Sequence, residues 1–218
     1  MAADINPLNY NNIPRISGWS IVIFAIALPI LLVLGVRITG ERGMLGLLTV
    51  FFVSGLIAVA VAVAPMRAWA LPALGFRHAG WGSIVLGSLI ALLISVAVTQ
   101  LGIEPEGIKQ AMEVAREPAA FLASLAVMAG LAPLVEESVF RGLLYGWLAG
   151  RWGGVVAWIV SSLAFAAAHM ELAHIILVLP LGLWFGWLRW RTGSLWPSLV
   201  AHVMNNALAV AAAALLPD

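Results

Sequence analysis

The 218-residue chain has no cysteine and only two aspartates, Asp4 and Asp218, one near each end. The first absence removes thiol nucleophiles, disulfides and Cys-ligated metals. The second excludes an intramembrane aspartyl dyad, which needs both carboxylates inside one helix bundle. Charge is scarce as well: Asp, Glu, Lys and Arg make up 10% of the chain, against roughly 25% in soluble domains. Its 11 basic and 10 acidic residues are spread thinly, so nothing marks a nucleic-acid partner. What remains is apolar: 63% of residues are hydrophobic, in runs long enough to cross a bilayer, which takes about 20 helical residues. The composition predicts an all-α, polytopic transmembrane helix bundle with bilayer lipid as its solvent.

Residues 1–17 are polar, with Arg15 their one basic residue. They lack the basic, apolar, small-residue layout of a cleavable signal and read as a short cytoplasmic tail. Spans are expected at Trp19–Val36, Met44–Ala64, Trp81–Leu101, 118–150, Gly153–His169, His174–Leu188 and Leu195–Leu216. That makes seven, or eight if 118–150, too long for one level crossing, breaks near Pro133 into two passes. Between the third and fourth lies the charged stretch Glu104–Glu117. There Ile108, Ala111, Met112 and Ala115 recur at helical spacing, opposite Glu106, Lys109, Glu113 and Arg116. This predicts an amphipathic helix on the membrane surface, with substrate gating as the alternative role. The chain thus divides into 1–117, three spans plus the interfacial helix, and 118–218, a second helix set integrated with the first.

Arg15, Arg67, Arg77, Arg151, Arg189 and Arg191 fall on one side of seven spans; Arg37, Arg42, Lys109 and Arg116 fall on the other. Short-loop basic residues favour the cytoplasm, so the N-terminus is expected there. No inverted repeat of the transporter kind is visible.

An ionisable side chain inside hydrocarbon costs roughly 2.5–3.5 kcal/mol on insertion scales and marks function by default. Three clusters qualify. The first, Val135 to Arg141, reads E-E-x-x-x-R. Glu137 and Arg141, four apart, share a face and can form an ion pair. Glu136 points about 100° away and is left without that partner, as a general base requires. Either both glutamates only lock neighbouring helices, or Glu136 does chemistry. The second cluster, Phe165 to His169, reads F-x-x-x-H, with three alanines permitting close helix approach. The third is His202-Val203-Met204-Asn205-Asn206. His202 and Asn206 share a face, while Asn205 points elsewhere, toward a helix contact. Water attack on a peptide carbonyl needs a base, oxyanion donors and an acid for the leaving amine. This inventory supplies all three.

E-E-x-x-x-R, F-x-x-x-H and H-x-x-x-N, in that order on successive spans, resemble the CPBP family, which includes the CAAX prenyl endopeptidases and the bacterial Abi proteins. The similarity runs from about Leu125 to Ala209, and every motif position is filled. The resemblance implies a membrane-embedded endopeptidase, in a bacterial inner membrane, whose chamber opens toward the cytoplasm. Glu136 would activate the water, His169 would assist or hold it, and His202 and Asn206 would form the oxyanion site. Glu137, Arg141 and Phe165 would support them. The implied substrate is a membrane-associated or lipidated protein, and no cofactor is implied. Family members were long described as metalloproteases, while a glutamate-dependent mechanism is now favoured.

The metal question is open to the residues too. His169-Met170-Glu171-Leu172-Ala173-His174 reads H-x-E-x-x-H, not the H-E-x-x-H of a zinc helix. Glu136, His169 and His202 would still offer Zn²⁺ a ligand set from three helices. Glu171 and His174 read as interfacial polar residues. Two other functions compete with proteolysis: a small transporter relaying protons through Glu136, His169 and His202, and a catalytically silent scaffold serving bacteriocin immunity or protein export. One geometric tension stands out. His169 ends its span and His202 begins one running in the same direction, so level helices would hold them about 10–15 Å apart in depth.

Overall fold

The computed structural model describes residues 13–40, 43–103 and 105–215. Most of the expected N-terminal tail, and Glu41, Arg42 and Glu104, lie outside them. The described residues form helices without a strand. These are α1 Gly18–Thr39, α2 Met44–Val63, the short α3 Ala70–Leu74, α4 Trp81–Thr99, α5 Glu106–Arg116, α6 Pro118–Trp152, α7 Gly154–Ala167, α8 Leu172–Thr192 and α9 Trp196–Leu215. Six helices are long and apolar enough to cross a membrane: α1, α2 with its continuation to Leu74, α4, α6, α8 and α9. Their outer faces carry large apolar side chains, among them Ile26, Ile30 and Val33 on α1 and Leu86, Leu89 and Leu93 on α4. Water would penalise such faces and lipid does not. This is an integral membrane protein.

The fifth expected span, Gly153–His169, forms a helix shorter than its apolar run. Gly153 has φ 84° and Met170 has φ 59°, so the chain turns at both ends and α7 keeps 14 residues. That is about 21 Å of helix against roughly 30 Å of hydrocarbon. The surface helix forms as α5, with Ala115 buried and Glu106, Lys109, Glu113 and Arg116 exposed.

Helix α6 is continuous rather than broken in two. Its 35 residues span about 50 Å without a break at Pro133. The chain absorbs the proline by widening: Leu125–Leu131 and Ser138–Leu144 are π-helical, on either side of an α-helical Ala132–Glu137. In the π register the carbonyl of Met128 faces position 133, where proline has no N–H to offer. That carbonyl is free for another donor.

Helices α7 and α8 approach closely because α8 carries Gly182-x-x-x-Gly186, a small-residue stripe that membrane helices use for packing. A Cβ at Gly182 would meet Phe165 Cδ1 at 2.9 Å, and one at Gly186 would meet Trp158 Cδ1 at 2.8 Å and the Ser162 hydroxyl. Trp158 Nε1 donates to Leu183 O at 2.8 Å across the same seam. Gly186→Val is therefore expected to wedge the pair apart and lower stability by about 1–3 kcal/mol. Thermal melting of the purified protein in detergent measures the loss.

Candidate active site

The site is built on the α-helical turn of α6 between its two π-helical stretches, a position where such widenings often mark function. Arg141 Nη1 donates to Glu137 Oε1 at 3.0 Å, and both side chains are fully buried. Two further contacts fix the guanidinium. Nη2 donates to Gly182 O on α8 at 2.8 Å, and Cζ lies 4.2 Å from the centre of the Phe165 ring on α7. Ser162 Oγ donates to the same Gly182 carbonyl at 2.9 Å. Arg189 Nε donates to the backbone carbonyl of Arg141 at 3.0 Å. One buried cation thus joins α6, α7 and α8.

His202 enters from α9 and meets both glutamates. Its Nδ1 lies 3.1 Å from Glu137 Oε1, and its Nε2 lies 3.5 Å from Glu136 Oε2. Phe185 stacks against the imidazole at 4.9 Å, and Phe165 meets it edge-on at 5.7 Å. The side chain of Glu136 remains 21% accessible while that of Glu137 is sealed. Adjacent carboxylates therefore have different surroundings: one is locked by a cation, the other faces an imidazole and an opening.

His169 lies just past the end of α7. Its Nδ1 is 3.0 Å from Phe165 O; a carbonyl only accepts, so Nδ1 carries the hydrogen and Nε2 is left for other partners. Phe165 meets this ring edge-on at 5.1 Å, so both imidazoles pack on one phenyl ring. The expected difference in depth is bridged. Phe165 stands about 17 Å along α7 and His202 about 9 Å along α9, and the aromatic side chains span the remainder.

Asn206 uses one amide hydrogen on the carbonyl that Pro133 leaves free: Nδ2 donates to Met128 O at 3.0 Å. Among the described residues Asn205 reaches its neighbour, Nδ2 to Asn206 Oδ1 at 3.5 Å. Among the described residues no three His, Cys, Asp or Glu side chains gather into a group that would hold a metal. His202 directs both ring nitrogens at carboxylates.

Sequence spacing gave no sign of three participants: the Gly182 carbonyl, the Met128 carbonyl and Phe185. Two of these are backbone atoms. The sequence features behind those two carbonyls are Gly182-x-x-x-Gly186 and Pro133, at which a break in the span was one of two alternatives.

Residues 118–208, which contain all of these side chains, match the family described as type II CAAX prenyl endopeptidase Rce1-like. That match covers less than half of the chain and agrees with the resemblance to the CPBP family. A Bacillus subtilis (strain 168) protein described as "Putative membrane peptidase YdiL" is 33% identical over 78 residues. That match covers 36% of this chain and 32% of the relative, so the chain spans about a third of the relative's length. No solved structure matches the chain. The matched stretch leaves out α1 to α5 and coincides with the helices that carry the site.

Proposed function

We propose that this chain is a membrane-embedded endopeptidase in which Glu136 activates the hydrolytic water. The observation that carries the reading is the asymmetry of the two glutamates. Glu137 is neutralised by Arg141, and Glu136 faces His202 at 3.5 Å with part of its carboxylate accessible. Water held between Glu136 and the free nitrogen of His169 gives its proton to Glu136 as its oxygen attacks the peptide carbonyl. The oxyanion takes hydrogen bonds from the second amide hydrogen of Asn206 and from His202 Nε2 when that imidazole carries a hydrogen on both nitrogens, since Nδ1 already donates to Glu137. Collapse breaks the C–N bond, and Glu136 returns the proton to the leaving amine. Glu137 and Arg141 hold His202 and Phe165 in place and touch no substrate.

The likeness to CAAX-type endopeptidases supports a membrane-associated or lipidated protein as substrate. The surplus of arginine at one end of the bundle supports a cytoplasmic N-terminus, with the bacterial inner membrane as the setting. The test uses purified protein in lipid nanodiscs, with membrane-anchored peptides bearing prenylated or unmodified C-termini. Cleavage is expected, retained in chelator and retained in Asn205→Ala. Activity lost to chelator and restored by Zn²⁺ would replace the glutamate mechanism with a metal one. No cleavage of any membrane-anchored peptide would remove the peptidase reading.

A further inference from the structure

The stretch His169 to His174 resembles a zinc motif without being one, and Glu171 and His174 read from sequence as interfacial polar residues. The structure gives both a definite place. After α7 the chain reverses through Met170, a non-glycine residue at φ 59° and 89% exposed. A reversal in the left-handed region is unfavourable for methionine unless its surroundings hold it.

Two anchors do so. The Glu171 carboxylate accepts from the backbone N–H groups of Glu106 at 3.0 Å and Gly107 at 3.4 Å. These are the first N–H groups of α5, whose N-cap, Pro105, makes no side-chain capping bond. A carboxylate from 65 residues away supplies that cap and complements the positive end of the helix. The second anchor is His174, in the first turn of α8. Its ring lies 4.3 Å from that of His169 at an interplanar angle of 68°. His169 is therefore held between Phe165 and His174, with its Nδ1 tied to Phe165 O.

We propose that His174 is a positioning residue for His169, in a turn that Glu171 ties to the surface helix α5. Without His174 the His169 ring loses the wall on that side, and only the Nδ1 hydrogen bond and the edge of Phe165 resist its rotation. The nitrogen that faces the water would then leave its place. Misplacement by about 1 Å is enough to lower rate a hundredfold. This rests on the peptidase reading for its kinetic consequence, but not for its structural one.

The chain has four histidines, so ¹⁵N-histidine labelling of the full-length protein in nanodiscs gives a spectrum in which loss of one signal in His169→Gln assigns that ring. In the wild type His169 is expected in one tautomer, with hydrogen on Nδ1. In His174→Ala its ring nitrogens should move toward exchange-averaged positions, with kcat down by roughly tenfold or more and KM within about twofold. His174→Phe keeps the aromatic wall and should restore both the tautomer signature and most of kcat. Unchanged ring signals in His174→Ala, or a His174→Phe variant as inactive as His174→Ala, would overturn the proposal. If no variant, wild type included, turns over peptide, the peptidase reading fails and the ring signals alone decide the positioning role.

Discussion

Glu136→Gln is expected to yield a folded, membrane-inserted protein that hydrolyses no peptide. The substitution keeps the side chain's shape and removes its negative charge and its capacity to accept a full proton. Glu136 has one close ionic partner, His202 at 3.5 Å, and its side chain is 21% accessible. The fold therefore loses little by the change. General-base catalysis contributes about 10²–10⁴-fold, so kcat/KM should fall by roughly that factor or below detection while the melting temperature stays near wild type. A kcat/KM assay paired with a melting curve checks both halves. A large fall in stability would mean that Glu136 is structural, with the lost activity following from unfolding.

Arg141 behaves in the opposite way. Arg141→Met leaves Glu137 charged, fully buried and without its cation. It also removes the donor to Gly182 O and the guanidinium over Phe165, which together hold α7 and α8 against α6. Breaking a buried pair by removing one partner destabilises by about 3–5 kcal/mol. The single substitution should lower the melting temperature more than any other site change. The double variant Glu137→Gln plus Arg141→Met removes the orphaned charge and should recover much of that loss, the coupling that a double-mutant cycle isolates. Activity should not return with stability, because His202 loses the carboxylate that fixes its Nδ1. Arg141→Lys is no mild replacement either, since an ammonium cannot hold Glu137 Oε1 and Gly182 O in one planar fork.

What could be read in advance follows from how local each interaction is. Glu137 and Arg141 are one helical turn apart, so their pairing was visible in the spacing, as was the isolation of Glu136 from that arginine. The face of α5 was legible for the same reason. That His202 meets both glutamates was not, because the contact joins residues 65 or more apart, and spacing within one helix says nothing about which helix faces it. Pro133 suggested a break, whereas the π-helical stretch before it lets α6 continue and hands the Met128 carbonyl to Asn206. The span expected at Gly153–His169 came out as a shorter helix because an apolar run marks what avoids water, and Gly153 and Met170 decide where the helix stops. That shortening brings His169 and His202 onto the same ring of Phe165 despite their positions at opposite ends of parallel helices.

The most direct test runs the purified protein on a membrane-anchored peptide in H₂¹⁸O and reads the product termini by mass spectrometry, with Glu136→Gln in parallel. The account predicts one ¹⁸O atom in each newly formed carboxylate from the wild type and no product from the variant. Products formed at comparable rates by both proteins would contradict it.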